Sequence, residues 1–328
     1  MIRSLFYIPG KSVRTDISPA EFPRLIRDRR GVLWVDFIGE SPEVAEPILR
    51  SLGFHPLAID DALQETHTSK VDDWGDHLYI VFNVLNYKQE NGSFVSEIDE
   101  LDVFLGKNYI ITHHDQLLPA IEDAWSACQR DVRHVHDGPD HLLYRIVDSL
   151  VMSYMPIIDQ IDAQVDQIED QVFDRPRPDT LEHIFALKRL LLTMRRILLP
   201  QREVLNKLSR DDYRVIDPKD RIFFRDIYDH LVRLHDLNEN LRDLVSGVLD
   251  SYLSVTNNRM NEVMKTLTII TTLFMPITFV TGFFGMNFFE PVANFLHWTS
   301  EQTFDIMLGI IVLLPVVMYL WMRRRTWV

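Results

Sequence analysis

The sequence predicts an α/β N-terminal cytosolic domain followed by long helices and two C-terminal transmembrane helices, and three observations carry that expectation. Over residues 1–135, short runs rich in Val, Ile, Phe and Tyr alternate with helical stretches. From about residue 140 the apolar residues recur at steps of three and four. Beyond Lys265, two stretches are uncharged for about the 20 residues that a hydrocarbon core requires.

In chain order, "VLWVDF" (32–37), "HLYIVFNVLNY" (77–87), "LDVFLG" (101–106) and "NYIITHH" (108–114) read as strands bounded by Gly, Asp and Asn. Helices are expected over 42–52 and 117–130, and no strand order follows from the runs. Residues 136–217 form cytosolic antiparallel helices. The first, over 140–174, reads as one long two-faced helix: Ile158, Ile161, Val165, Ile168 and Val172 make an apolar stripe beside Asp159, Asp162, Asp166 and Glu169. After "RPRP" (175–178) a second helix runs through Leu187, Leu190, Leu191, Met194 and Leu198, and Pro200 interrupts or kinks it.

A third helix opens near Pro218, at "DPKD", and carries Ile227, Leu231, Leu234, Leu241, Val245, Val248 and Tyr252 on one side. It meets no stop before Gly282, which makes it roughly 100 Å long at 1.5 Å per residue. One globular domain does not need such a helix, so it is expected to carry the chain into a bilayer. The expected divisions are a stalk helix at 218–265, a first transmembrane helix at 266–287, an outer loop at 288–303, a second transmembrane helix at 304–322 and a basic cytosolic tail at 323–328. Lys265 and the arginines Arg323, Arg324 and Arg325 place both ends of the hairpin in the cytosol by the positive-inside bias. The N-terminal stretch has no apolar core long enough for a signal peptide, so the first part is expected to remain cytosolic.

Beyond Lys265 three acids and three arginines cancel, so the whole formal charge of -14 lies in residues 1–265. Such a surface disfavours nucleic acid and raises the local concentration of cations. Cys128 is the only cysteine, which excludes an internal disulfide or a cysteine-rich metal site and fits a reducing compartment. An enzyme is not expected: His113 and His114 beside Asp115 are the best catalytic candidates, but adjacent residues on a strand point to opposite faces. No Gly-rich phosphate loop, nucleophile elbow or metal-ligand spacing accompanies them.

The two spans differ in character. The second is almost wholly apolar. In the first, stepping back from Gly282 along one helical face meets Thr278, Met275, Thr271, Leu267 and Met264, and then Asn261, Ser254 and Asp250 below the membrane. Each residue also has a plain reading: threonine bonds to its own backbone, glycine packs helices closely, and Asn287 caps the helix where it leaves the membrane. Those readings do not account for the gathering of these residues on one face of the span that continues the stalk. A single helix encloses no path, so a pore requires symmetric copies.

At these residues the sequence resembles the CorA family of divalent-cation channels. The signature is Gly285-Met286-Asn287 at the outer end of the first of two C-terminal spans, followed by an acidic "FFEP". The resemblance extends over "TSKVDDWGDHLYIVF" (68–82), "FLGKNYIITHH" (104–114) and "NRMNEVMKTLTIITTLFMPITF" (258–279), nearly the whole chain. It implies a CorA-like funnel, a homopentamer in the cell (inner) membrane with cytosolic termini, and passive conduction of hydrated divalent cations, most of all magnesium. Gly285, Met286 and Asn287 would form the selectivity filter, and Asn261, Met264, Leu267, Thr271, Met275, Thr278 and Gly282 would line the pore. Glu290 and Glu301 would attract cations at the mouth.

Magnesium is then both substrate and regulatory ligand, with no organic cofactor. Asp226 matches a regulatory metal position of the family and Asp250 the cytosolic pore entrance. Asp60, Asp61, Asp72, Asp73, Asp76 and Asp229 are further acidic candidates. The family often has tyrosine before the signature glycine, where this chain has Phe284. Proton-coupled zinc transport by the related branch is the alternative mechanism, and a membrane-anchored scaffold or sensor is the alternative from another class.

Overall fold

The computed structural model describes residues 1–10, 13–64, 68–90, 93–174, 177–286 and 301–325, with backbone alone for 88–90, 93–96, 178, 301 and 303. The chain divides into two compact units, Met1–Asp250 and Ser251–Val328.

The first unit is built on a sheet of β1 (Ile2–Tyr7), β2 (Arg14–Thr15), β3 (Val32–Ile38), β4 (Lys70–Asp73), β5 (His77–Glu90), β6 (Ser93–Gly106) and β7 (Tyr109–His114). Their order is β2-β1-β3-β7-β6-β5-β4. Only β3 and β7 run parallel, in the register Asp36 to Thr112 and Ile38 to His114. The remaining pairs are antiparallel. The chain enters β3 through Gly31, where a Cβ would lie 2.5 Å from the Tyr7 carbonyl oxygen. It leaves through Gly39, whose φ of 56° is a left-handed conformation that glycine adopts without strain.

Helices cover both faces because both faces of the central strands are apolar. On one face, α1 (Phe22–Arg27), α2 (Pro42–Ser51) and α3 (Pro56–Leu63) bury Phe22, Leu25, Ala45, Leu49 and Ile59 against Leu33, Val35, Phe37, Tyr79, Phe104 and Ile111. Helix α4 (Pro119–Arg130) belongs to the opposite face, where the Trp125 ring meets that of Trp34 edge-on at 4.8 Å. A one-turn helix α5 (Arg133–His136) then leads to α6 (Pro139–Met152).

The single helix expected over 140–174 is two. Helix α6 stops at Met152, Ser153 and Tyr154 form a turn, and α7 (Met155–Asp174) follows. The apolar period runs across the break, so periodicity alone could not reveal it. What holds the break is tertiary: the Tyr154 hydroxyl donates to the Asn83 carbonyl of β5 at 2.9 Å. The stripe of Ile158, Ile161, Val165, Ile168 and Val172 is buried, and the acids beside it are exposed.

Helix α8 (Pro178–Arg210) packs against α7 and runs through Pro200 without interruption. Gln201 follows the proline, and its amide donates to the Asn83 carbonyl and, at 3.2 Å, to the Tyr154 hydroxyl. One carbonyl of the sheet therefore anchors both irregular points of the helical layer.

Helix α9 (Arg221–Phe284) begins three residues later than Pro218, because Asp217 and Asp220 first close a turn. Its buried residues in the first unit are Phe224, Ile227, Leu231, Leu234, Asn238, Leu241, Val245 and Val248, alternating steps of three and four without a slip. The second unit contains the rest of α9 and α10 (Glu301–Arg324), and both helices are long and apolar enough to cross a membrane.

Candidate ion-conduction site

Along α9 in the second unit, Asn261, Met264, Leu267, Thr271, Met275, Thr278 and Gly282 are all exposed, Met264, Leu267 and Met275 by 56, 57 and 66%. The partly covered residues are Ile269, Thr272, Leu273, Pro276, Ile277, Val280 and Phe284. At about 100° per residue, these centre on the opposite side of the helix. Hence the chain covers the back of α9 and leaves the lightly polar face bare. On α10 the covered positions are Met307, Ile311, Leu314, Pro315, Met318 and Met322, again one stripe.

The threonines bond as the plain reading expects. Thr266, Thr268, Thr271, Thr278 and Thr281 each donate to the carbonyl four residues back, at 2.7–3.0 Å. That bond has a second consequence. A hydroxyl whose proton is committed to the backbone presents only lone pairs outward, so Thr271 and Thr278 place acceptor oxygens on the exposed face. Acceptors without donors suit a cation or its hydration water better than an anion.

Apart from the backbone of its own helix turns, Gly282 has no described atom within 4 Å of where a Cβ would stand, so it does not pack against the rest of this chain among the described residues. Gly285 is different: its amide donates to the Thr281 carbonyl at 2.9 Å, and a Cβ there would stand 3.1 Å from the same oxygen. It closes the last turn of α9, and Met286 follows with its amide on the Phe283 carbonyl at 3.3 Å. Asn287 and Glu290 lie outside the described residues. Glu301 opens α10 and is described by its backbone alone.

Most acidic candidates of the first unit have partners. Lys70 bridges Asp61 and Asp72, the latter at 3.0 Å. Asp73 accepts from the Gly75 amide at 2.7 Å, Asp76 pairs with His77 at 2.7 Å, and Asp60 accepts from the Gln64 amide at 2.8 Å. Asp226, Asp229 and Asp250 are exposed. Among the described residues, no three His, Cys, Asp or Glu side chains converge as metal ligands.

Asp226 acts on a residue that the sequence reading did not single out. Asp148 of α6 is half-buried and its carboxyl is raised, by burial first; His230 draws it down and the Asp226 charge pushes it up. Nothing in the sequence marks Asp148, because only the packing of α6 beside α9 brings the two acids together.

His113 and His114 do point to opposite faces. His114 lies 3.1 Å from Asp36 through Nε2 and 2.6 Å from the Gln116 carbonyl through Nδ1. Asp36 also accepts from Arg3 at 2.8 Å and from the Thr112 hydroxyl at 2.5 Å, and Arg3 reaches Glu122 at 2.6 Å. Burial pushes the Asp36 carboxyl up, but His114, Thr112 and Arg3 together outweigh it and hold it below the ordinary carboxylate range. On the other face His113 lies 3.6 Å from Asp102, which the Tyr79 hydroxyl meets at 2.6 Å. Each histidine therefore serves a separate buried network.

A family model described as "CorA-like Mg2+ transporter protein" matches residues 29–324. The cobalt/magnesium transport protein CorA of Thermotoga maritima is 33% identical over 307 residues, which cover 92% of this chain and 85% of that protein. The zinc transport protein ZntB of Yersinia pseudotuberculosis is more distant, 24% identical over 296 residues, 90% of this chain and 87% of its own length. Among solved structures, the complete CorA magnesium transporter of Methanocaldococcus jannaschii superposes with a TM-score of 0.81 at 21% identity, covering 99% of this chain and 98% of that one.

Proposed function

This chain belongs to the CorA-like family of magnesium and cobalt transporters, and from that premise we propose that it conducts hydrated divalent cations, magnesium foremost, through a pentamer of identical chains in the cell (inner) membrane. The observation that carries this reading is the bare face of α9, opposite the side the chain covers for itself. Five copies turn that face inward around an axis. Asn261, Met264, Leu267, Thr271, Met275, Thr278 and Gly282 then line one path, with Thr271 and Thr278 supplying acceptor oxygens between apolar constrictions that gate by dewetting.

At the outer mouth Gly285, Met286 and Asn287 form the filter. Gly285 closes the helix so that Asn287 stands at its exit, where five amide oxygens meet the hydration shell of an ion that dehydrates reluctantly. Glu290 and Glu301 raise the local cation concentration. Both termini lie in the cytosol, the stalk passes into the first span after Lys265, a short outer loop joins the two spans, and the chain carries no organic cofactor and no catalytic reaction.

Asp226 contributes to a cytosolic regulatory site together with Asp148, and Asp250 stands at the cytosolic entrance of the path. A divalent cation relieves the mutual repulsion of the first two, so rising internal magnesium favours the arrangement that binds it and closes the channel. Zinc transport with protons is the competing mechanism. Uptake of magnesium, cobalt, nickel and zinc into reconstituted vesicles, each with and without a proton gradient, tests the reading. Magnesium entry indifferent to the proton gradient is the expected result, and zinc entry that depends on it overturns the magnesium assignment.

A further inference from the structure

A groove of about 400 Å³ lies where α4, α6 and the paired strands β5 and β6 meet. Its size falls in the range of small-molecule sites, and the apolar residues that reach its surface include Val84, Leu85, Leu117 and Ile157. Two carboxylates on separate elements line it, Asp99 from β6 and Asp123 from α4, and among the described residues no lysine or arginine does.

Asp99 is half-buried and accepts from the Asn86 amide at 3.2 Å. The charges that reach it are Glu97 and Asp115, both anionic, and His114, whose two nitrogens are occupied by Asp36 and the Gln116 carbonyl. Burial raises the Asp99 carboxyl, the Asn86 bond draws it back, and Glu97 and Asp115 add to the rise. Asp123 is exposed and has no ion pair among the described residues.

An apolar trough with two carboxylates in its lining, and no cation among the described residues, complements a ligand with an apolar body and positive ends. A hydrated divalent cation satisfies the acids but gains nothing from leucine and isoleucine walls. We propose that this groove binds a linear aliphatic di- or polyamine, with ammonium groups on Asp99 and Asp123 and the methylene chain along Leu85, Leu117 and Ile157. Cells hold such amines as counter-cations, so the site couples the α/β part of the chain to a second class of cation. The inference is independent of whether α9 conducts.

Isothermal titration calorimetry of the full chain in detergent, at fixed ionic strength, tests it with putrescine, spermidine and n-butylamine. The two polyvalent amines are expected to saturate one site per chain. n-Butylamine, with one ammonium, is expected to bind roughly tenfold more weakly, as is putrescine to Asp99→Asn or Asp123→Asn. Asp123 is exposed, so Asp123→Asn should keep the unliganded melting midpoint and isolate the ligand effect. Absence of saturable binding, equal affinity for putrescine and n-butylamine, or binding unaltered in both variants overturns the proposal.

Discussion

Asp226 on α9 lies within electrostatic reach of Asp148 on α6, and its charge helps burial hold the Asp148 carboxyl above the ordinary carboxylate range against the pull of His230. The two come from stretches distant in sequence, and the Asp226 charge makes the half-buried Asp148 carboxyl harder to ionise. A divalent cation bound near the pair would relieve that repulsion.

Asp226→Ala should therefore weaken closure at high internal magnesium while leaving permeation largely intact, with part of the closure retained through the other acids. An unaltered magnesium dose response in current recordings removes Asp226 from the sensor. The pH dependence has a definite sign. Because folding raises the Asp148 carboxyl, its contribution to stability is fully present below the unfolded carboxylate value and is lost as pH rises through the folded one. Bound magnesium offsets that loss, so the magnesium-induced rise in melting midpoint should be larger at about pH 7 than at about pH 4. In Asp226→Asn that difference should shrink.

The Arg3–Asp36–His114 network gives the opposite sign. Asp36 is fully buried and its carboxyl is held below the ordinary range, so its stabilisation is present above the unfolded value and is lost as pH falls through the folded one. Asp36→Ala leaves Arg3 and His114 without their shared partner and should cost about 3–5 kcal/mol near neutral pH. Denaturant titrations over an acid series should show the deficit narrowing as pH falls. A deficit that stays constant down to the acid limit would mean that lost packing, not lost charge, is responsible.

What could be read from the sequence was what depends on period. The stripe from Ile158 to Val172 and the face from Asn261 to Gly282 follow from helical spacing, and the stripe has the burial that spacing predicts. The break at Ser153 and Tyr154 does not, because the apolar residues continue in phase across it and the Tyr154 hydroxyl is held by the Asn83 carbonyl of a distant strand. The same holds for Asp148. A charge in a helix becomes a functional candidate only when packing sets another charge beside it. β4 is short, polar and at the sheet edge, and β1 is a six-residue run interrupted by Arg3 and Ser4, so neither carries a clear strand pattern.

Thr271 and Thr278 separate conduction from packing. Among the described residues their hydroxyls bond to the Leu267 and Phe274 carbonyls alone, at 2.9 and 3.0 Å, so Thr→Val at either position should alter stability by no more than about 0.5 kcal/mol. If these oxygens line the path, Thr271→Val and Thr278→Val should each lower magnesium flux severalfold in equally assembled protein. Thr266 makes the same bond to the Glu262 carbonyl, at 2.9 Å, from the other side of the helix. Thr266→Val should leave flux unchanged, and equal losses in all three variants would show that the effect is on the helix rather than on a pore.

Asn287 decides the filter. Two roles compete for it: an amide oxygen presented to a hydrated cation, and a cap for the end of α9. Gly285 and Met286 already bond to the Thr281 and Phe283 carbonyls, so the last turn is closed before Asn287 is reached. Loss of a cap generally costs about 0.5–2 kcal/mol, which an assembled pentamer survives, so stability does not discriminate between the roles. Flux does. Asn287→Ala removes one acceptor from each copy and should sharply lower magnesium uptake without loss of assembly, measured as detergent-corrected mass. Asn287→Asp keeps the oxygens and adds charge, so the mouth should attract cations more strongly but hold and dehydrate them differently, shifting ion preference rather than restoring it. Parental magnesium flux and parental preference among magnesium, cobalt and nickel in both variants would leave Asn287 as a cap and place selectivity elsewhere on the α9 face.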